Sequence, residues 1–412
     1  MSKPQTGAAF PNRKTLRALL KTEPTPFYLY DGPGLYHTCK ALFDAFSWNE
    51  GFRAYFPVRM NPNPAVLQIF REAGCGALCG SEAELLLAQK AGFSGREMLF
   101  ASMTRTDEGA LLAAKLHASL ITDGELALPG PAPDEGFLTV RPQKPLTANA
   151  RTVWNFEKSK LGVREDRLPA LLRGLPESGS GLRGLSLFLR DQESSPHAFC
   201  AALERLFELA AQLYRRENIT IDTVFVCGGL GACEEEGEKV DIRDISRRVK
   251  ESYEKLLDPL GLRVRIQIAP GRFLAAKHGV LVTKALEVRR EDAKLPLLVL
   301  DVACGQFLRE IAFGAAHRMD APFVSADKPR QITHAAGCLY DLRDRFSGEY
   351  LLPELKTGDC VVIFGTGADG ACFHSGYGGS LRCAEFLFGL DGNVTCIRKR
   401  QTAQELLASY DS

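Results

Sequence analysis

Short apolar runs and longer amphipathic stretches alternate along the chain from residue 50 to residue 275. One amphipathic stretch is SEAELLLAQKAG, in which residues 85–88 mark an apolar face. Apolar strands that alternate with helices are typical of parallel βαβ units, and eight of them favour a closed (β/α)8 barrel over an open sheet. Residues 123–136 are too short and Pro-rich for a full helix, so one unit is irregular. The predicted strands are 53–58, 76–79, 97–101, 118–122, 136–140, 184–189, 223–227 and 263–269.

The pattern changes after about residue 276, where strand-like runs are separated by turns and no regular helices intervene. This pattern predicts a β-rich second domain, so the fold class expected for the whole chain is α/β with an added β-rich part. The runs are HGVLVTKALEVRR, LPLLVLDV, GDCVVIFGTG and CAEFLFGLDGNVTCIRKR.

Composition and charge are those of an ordinary globular protein. The chain has 412 residues, enough for two domains, with 45% hydrophobic and 25% charged residues. A net charge of +1 gives no electrostatic reason to expect nucleic-acid or membrane-surface binding. The longest apolar runs are too short to span a bilayer, and the stretch MSKPQTGAAFPNRKTLRALLK lacks the apolar core of a signal peptide. The expected location is the cytoplasm.

Twelve cysteines are scattered from Cys39 to Cys396 without a C-x-x-C pair. Cys75 and Cys79 are four residues apart, but no His/Cys group follows them at zinc-ligand spacing, so no metal site is predicted. Several cysteines lie inside strand-like runs, where the side chain behaves as a small apolar group. Reduced thiols also fit the cytosol.

A series of motifs spans nearly the whole chain and resembles, in the same order, the motifs of fold-type III pyridoxal-phosphate (PLP) decarboxylases. Diaminopimelate decarboxylase is the member that the chain resembles most. The motifs are YFPVRMNPNPAVL, REAGCGALCGSEAELLLAQKAGF, SKLGV, CGGLG, APGRF, PELKTGDCVVI and FGTGADGACFHSGYGG.

The resemblance implies an alanine-racemase-like barrel at residues 28–275. It also implies a β-sandwich-like domain formed by residues 1–27 and 276–412. The family chemistry is removal of a carboxylate from an amino acid bound to PLP. The family further implies a homodimer whose active sites are shared across the interface.

Several positions that the resemblance assigns to PLP carry unsuitable side chains. Arg59 stands where the family has the lysine that forms a Schiff base with the cofactor, and a guanidinium cannot replace an amine in that bond. Ala269 stands where the family has the acid that keeps the pyridine nitrogen protonated, and Leu78 where it has an aspartate. Asp369 takes the place of the aromatic residue that supports the phosphate, so its carboxylate would repel that group.

The cysteine motif C-E-x-x-D, which in relatives reaches the active site of the neighbouring subunit, reads CLYDLRD here. Cys338 is retained, whereas Leu339 and Leu342 stand at the two acidic positions. Phe188 stands at the position that stacks on the cofactor ring, and one branch of the diaminopimelate decarboxylases has an aromatic residue there.

Other family positions are retained. Gly228, Gly229 and Gly231 follow a predicted strand and could present N–H groups to an anion, although a plain tight turn would need the same glycines. Arg272 and Arg309 match family arginines that meet phosphate or a substrate carboxylate, and the alternative is an ion-paired or solvated surface arginine.

Three further side chains leave alternatives open. Tyr377 matches the aromatic residue that contacts the cofactor ring, but a packed core tyrosine is an equal interpretation. Lys160 aligns with a lysine that the family already has, so it is not an obvious replacement nucleophile. Arg59 itself could be an exposed strand-end arginine without a role.

The favoured hypothesis is a catalytically degenerate decarboxylase homologue with a small-anion site lined by Arg59, Arg272 and Arg309. It would act as a binding or regulatory protein, as a homodimer or paired with an active paralogue. One alternative is a working PLP-dependent decarboxylase of the meso-diaminopimelate type, acting in lysine biosynthesis with a displaced lysine. The second is an enzyme repurposed for PLP-independent chemistry.

Overall fold

The chain divides into two compact units. The barrel unit comprises the described residues between Tyr36 and Leu274, and the sheet unit comprises those up to Leu35 and from Ala275 onward. The computed structural model describes residues 10–101, 103, 108–122, 135–143, 146–149, 152–154, 156, 159–174, 183–189, 196–231, 240–290, 295–314 and 317–410.

Eleven helices and twenty strands are numbered here in chain order over the described residues. The helices are α1 Arg13–Thr22, α2 Gly32–Ala45, α3 Pro64–Glu72, α4 Glu82–Lys90, α5 Glu108–Lys115, α6 Leu168–Arg173, α7 Pro196–Glu217, α8 Ile242–Leu256, α9 Gly271–Ala275, α10 Arg309–Phe313 and α11 Ala403–Leu407. The strands are β1 Phe27–Asp31, β2 Arg53–Pro57, β3 Gly76–Cys79, β4 Met98–Ala101, β5 Ser119–Thr122, β6 Gly136–Arg141, β7 Leu146–Asn149, β8 Thr152–Trp154, β9 Val163–Arg164, β10 Gly184–Phe188, β11 Thr223–Cys227, β12 Arg265–Ala269, β13 Gly279–Arg289, β14 Leu297–Leu300, β15 Met319–Asp320, β16 Arg330–Ala336, β17 Arg345–Pro353, β18 Cys360–Phe364, β19 Ala384–Phe388 and β20 Val394–Arg398.

Eight parallel strands close the barrel in the order β2, β3, β4, β5, β6, β10, β11 and β12, and β12 pairs back onto β2. These are the eight strands predicted from the sequence, with each boundary within two residues, so the (β/α)8 prediction is confirmed. Their apolar runs are continuous because the strands of a closed parallel barrel are buried on both faces. The irregular segment predicted at 123–136 lies outside the described residues up to position 134.

A buried asparagine stabilises the amino end of β12. Asn49, which is 6% exposed, precedes β2. Its side-chain amide donates to the carbonyl of Val264 at 3.0 Å and accepts the N–H of Ile266 at 2.8 Å. The side chain thereby satisfies two backbone groups that would otherwise be buried without partners, at the point where β12 meets β2.

The sheet unit brings the two ends of the described chain into one mixed sheet, ordered β17, β16, β14, β13, β1, β19, β20, with β18 beside β13 and β15. β1 lies antiparallel to β13 and parallel to β19. The predicted barrel plus β-sandwich architecture is confirmed. Residues 27–31 pair within the sheet unit, whereas the barrel was expected to begin at residue 28. The core of this unit consists of Leu16, Leu19, Phe27, Leu29, Val280, Val282, Cys360, Val362, Ala384 and Phe386.

Within the described ranges, every helix is too short or too polar to cross a membrane. The same ranges contain no group of three or more His, Cys, Asp or Glu side chains that could hold a metal ion.

Candidate functional site

The barrel interior contains an apolar cluster that includes residues at the carboxyl ends of several strands. Ala269 is fully buried and Leu78 is 2% exposed, and both belong to one cluster that draws a side chain from nearly every barrel strand. The half-buried ring of Phe188 packs against this cluster, with its centroid 6.1 Å from that of Phe225. The clustered residues are Tyr55, Leu78, Leu99, Ile121, Phe137, Phe225, Cys227 and Ala269, with Ala101 and Phe188 packed against them.

Arg59 lies just beyond the carboxyl end of β2, in a single 3₁₀ turn that spans Val58–Met60. Its neighbours Val58 and Met60 are buried, whereas Arg59 is exposed. The local motif continues into α3, where Asn63 caps the helix by accepting the N–H of Ala65 at 3.1 Å. The guanidinium is therefore presented on a short rigid turn at the barrel mouth, which we define as the carboxyl ends of the eight barrel strands.

Glu84, in the first turn of α4, is the acidic neighbour of Arg59. Burial raises the pKa of its carboxyl, and the N–H of Gly80 and the charge of Arg59 oppose that rise. The N–H of Gly80 donates to Glu84 Oε2 at 2.7 Å. The barrel mouth thus holds opposite charges at the ends of the adjacent strands β2 and β3.

The glycine run after β11 is explained by its backbone. Gly228 and Gly229 both have φ of +82°, a conformation that residues with a Cβ adopt with strain. The N–H of Gly228 donates to the carbonyl of Ala269 at 3.2 Å. A Cβ on Gly229 would lie 2.3 Å from Leu189 Cδ1. Gly231 is also buried. The tight-turn interpretation accounts for these contacts without an anion.

Arg272 lies in α9, directly after β12, and is half-buried. The preceding Gly271 lies against the turn that carries Arg59, since a Cβ there would be 2.2 Å from Met60 Sδ and 2.9 Å from Pro57 Cδ. Because β12 pairs with β2, Arg59 and Arg272 follow adjacent strands at the barrel mouth.

Lys160 is exposed in the segment between β8 and β9, which follows β6 in the chain. Gly162 holds this loop against the strand, with φ of +87° and no room for a Cβ beside Val140. In the closed order β6 is four strands away from β2, on the opposite side of the barrel. Lys160 therefore does not lie beside Arg59.

In the sheet unit, Arg309 and Asp369 form a buried ion pair. Arg309 is 5% exposed and Asp369 is 9% exposed, and Nη1 lies 3.3 Å from Oδ2. Asp369 has φ of +58°. Arg309 and Asp369, to which the resemblance assigned separate roles, thus contact each other.

The loop at 338–344 is organised by Asp344, which is 2% exposed. Its carboxylate accepts the N–H of Cys304 and the N–H of Leu339, both at 2.6 Å. Partial burial of the thiol and this nearby carboxylate raise the pKa of Cys338, which is otherwise an exposed residue. The thiol is therefore mostly protonated at neutral pH.

Tyr377 lies against the same loop. Its hydroxyl donates to the carboxylate of Asp341, and Arg343 Nη2 donates to that hydroxyl at 2.5 Å. The guanidinium carbon of Arg343 lies 5.2 Å from the centre of the Tyr377 ring. Tyr377, which is 39% exposed, is held by Asp341 and Arg343 at the surface of the sheet unit, so it is not a core residue.

Comparison with known proteins identifies the family. Residues 36–276, which contain all eight barrel strands and more than half of the chain, match the family described as "Pyridoxal-dependent decarboxylase, pyridoxal binding domain". The chain belongs to this family. The resemblance inferred from the motifs is thereby confirmed.

Among curated relatives, Protein TabA from Pseudomonas amygdali pv. tabaci is 28% identical over 94% of this chain and 91% of its own length. The diaminopimelate decarboxylase of Deinococcus radiodurans is 27% identical over 93% of this chain and 95% of its own length.

Solved structures share the fold across both units. The diaminopimelate decarboxylase of Helicobacter pylori complexed with L-lysine has a TM-score of 0.83 at 21% identity, covering 96% of this chain and 99% of that one. The enzyme of M. jannaschii in co-complex with L-lysine has a TM-score of 0.85 at 20% identity, covering 97% and 94%. At this identity the likeness is one of fold.

The residues present do not fit the groups that PLP chemistry requires. A pyridoxal-dependent decarboxylase needs a lysine amine for the Schiff base and a carboxylate at the pyridine nitrogen. Arg59 offers a guanidinium, and Ala269 is buried in a cluster whose described members carry no carboxylate. The N–H of Gly228 is used by the barrel itself.

A buried polar network at the opposite, amino-terminal end of the barrel was not predicted from the sequence. Glu135 is 7% exposed, and its Oε1 lies 3.1 Å from Arg265 Nη2 while its Oε2 lies 3.6 Å from Arg53 Nη1. Gln267 Nε2 and Thr223 Oγ1 also donate to Oε1. The positions at which Arg53, Thr223 and Arg265 begin their strands were the only available signal. This end of a barrel stabilises the fold.

Proposed function

We propose that this member of the pyridoxal-dependent decarboxylase family has lost lysine-dependent PLP catalysis and acts as a binding or regulatory protein. The observation that carries the proposal is Arg59, exposed on the turn after β2. A guanidinium stays protonated and delocalised, so it does not form an imine. The buried Ala269 and Leu78 support the proposal, because they surround the same mouth with apolar groups.

The ligand proposed for the barrel mouth is a small anion that bears a carboxylate or a phosphate. Arg59 and Arg272 follow adjacent strands, and guanidinium groups suit such anions because they donate two parallel hydrogen bonds. Glu84 offsets part of the positive charge, which favours a ligand of low negative charge. Arg309 was also expected in this site, but its guanidinium forms an ion pair with Asp369.

The deciding experiment is a PLP titration of the purified protein, read by visible absorbance before and after borohydride reduction. The proposal predicts no imine band and no mass increase after reduction. Arg59→Met provides the matched control, since it removes the charge and, like the wild type, should form no imine with PLP. An adduct fixed by reduction on any lysine would overturn the proposal, and peptide mass mapping would identify that lysine.

A second candidate function is diaminopimelate decarboxylation with a displaced lysine. It is favoured by the curated relatives, because diaminopimelate decarboxylases match over more than nine-tenths of this chain. This function predicts carbon dioxide release from meso-diaminopimelate in the presence of PLP. Lys160→Arg would test the lysine of the SKLGV motif, and it should abolish the release if Lys160 carries the cofactor.

Pairing with a second chain is part of the proposal, either as a homodimer or with an active paralogue. Tyr340 and Leu342 are almost fully exposed on the loop that Asp344 holds rigid. Two large apolar side chains on a preorganised loop are typical of interface anchors, which exclude water when a partner covers them.

A further inference from the structure

The Arg309–Asp369 pair is buried and lies beside an aromatic ring. The Arg309 guanidinium carbon is 5.6 Å from the centre of the Phe313 ring, and that ring packs edge-on against Phe373. The neighbouring buried carboxylate of Glu310 is held by other donors, including the backbone N–H of His317 at 2.7 Å. Solvent therefore screens the attraction between Arg309 and Asp369 only weakly.

The backbone at Asp369 is held in a conformation that favours glycine. Its φ of +58° lies in the left-handed region, where a residue with a Cβ is strained. The chain just before this strained residue is fixed, because the N–H of Thr366 donates to the carbonyl of Gly279 and that of Gly367 to the carbonyl of Ala276, both at 3.0 Å. A carboxylate at this position is thus aimed at Arg309 by a loop that has little freedom to move.

We propose that Asp369 is a built-in counter-ion: its carboxylate occupies the position at Arg309 that an external carboxylate would take. The sheet unit then contains an anion site that is closed by its own chain. The ligand class is a small monocarboxylate, because the group that fills the site is itself one. Asp369 is the residue that determines whether this site admits an anion, and this holds whether or not the barrel unit binds PLP or any other ligand.

Asp369→Gly is the sharpest test, because glycine suits the left-handed backbone and leaves a space the size of the missing side chain. Acetate has the shape and charge of that side chain, and acetamide has nearly the same shape without the charge. We expect acetate to raise the melting temperature of Asp369→Gly saturably, with an affinity at least about tenfold above that for the wild type. Acetamide should have no such effect. Isothermal titration calorimetry at fixed ionic strength gives the same comparison directly.

The matched control is the double variant Asp369→Gly with Arg309→Met, which keeps the space and removes the cation. Loss of the acetate effect in the double variant supports the proposal. An equal acetate effect in the double variant, or none in Asp369→Gly, overturns it. If Asp369→Gly does not fold in plain buffer, refolding is compared in acetate and in acetamide. Refolding in acetate but not in acetamide supports the built-in counter-ion. Failure to refold in either solution overturns it.

Discussion

At position 59 the difference between two basic residues decides which chemistry is available. Lysine and arginine share a positive charge, yet only the amine loses its proton readily enough to attack an aldehyde. The turn that carries Arg59 is rigid, since its neighbours Val58 and Met60 are buried on either side. The functional difference therefore rests on the side chain and not on its placement.

Arg59→Lys should restore an amine at the end of β2. We expect this variant to form a borohydride-reducible adduct with PLP that maps to position 59, because the turn already presents the side chain. It should still release no carbon dioxide from meso-diaminopimelate, since Ala269 leaves the pyridine nitrogen without a carboxylate. An adduct of equal yield in Arg59→Met would show that another lysine reacts and would contradict this expectation.

Ala269→Glu should place a carboxyl group inside the apolar cluster. At about pH 8 we expect the free energy of unfolding to fall by roughly 3 kcal/mol or more, the cost of an uncompensated buried charge. Burial raises the pKa of such a carboxyl in the folded state above its unfolded value, so stability is lost as the pH rises toward the folded-state pKa.

Urea unfolding at about pH 5 and about pH 8 checks this expectation, with Ala269→Gln as the uncharged control. The free energy of unfolding of the glutamate variant, relative to that of the wild type, should be higher at the lower pH. The stability of the glutamine variant should depend on pH no more than that of the wild type does. Equal stability of the glutamate variant at both values would mean that a cation near position 269 compensates the charge.

Among individual residues, the partners of buried polar side chains were the hardest to predict from the sequence. Arg59 and Ala269 were recognisable because neighbouring motif letters fix their positions. Glu135 gave no such signal, because its partners Arg53 and Arg265 are brought to it only when the barrel closes. Hydrogen bonds between residues that are far apart in sequence do not leave a local pattern, so networks of this kind require the structure.

Individual strands were predictable from the sequence, because each barrel strand is a short apolar run with polar residues at its ends. The helices were less so. The apolar stretch at 85–88 was assigned to one face of α4, yet Leu86 is 48% exposed whereas Leu85 and Ala88 are buried. Four consecutive apolar residues cover the whole circumference of a helix, so periodicity cannot select among them.

Asn49→Ala tests how β12 is fixed beside β2. The change removes the partners of the Val264 carbonyl and the Ile266 N–H, so we expect a loss of about 1–3 kcal/mol in the free energy of unfolding for buried groups left unsatisfied. Urea unfolding measures the loss. Asn393→Ala is the control, because Asn393 is exposed in a turn and its removal should change stability by no more than about 0.5 kcal/mol. Similar losses in both variants would contradict the role given to Asn49.

For the molecule as a whole, the exposed loop at 338–344 gives a test of assembly. We expect the wild type to sediment as a dimer and the variant Tyr340→Asp with Leu342→Asp to sediment as a monomer, since charge at an apolar anchor opposes its burial. Leu390→Asp is the matched control, because Leu390 is 46% exposed elsewhere in the sheet unit. A wild type that is monomeric at all concentrations would contradict the homodimer, and a control that dissociates equally would contradict the interface proposed at this loop.

The position of β1 has a consequence for synthesis on the ribosome. β1 lies between β13 and β19, so both of its neighbours in the sheet are translated long after it. Roughly 250 residues separate β1 from β13, which at about 5–20 residues per second is a delay of roughly 10–50 s. The barrel strands are all translated within that interval. The segment FYLYD must therefore wait for its partners in the sheet while a complete barrel emerges after it, so we expect β1 to need protection from aggregation during synthesis.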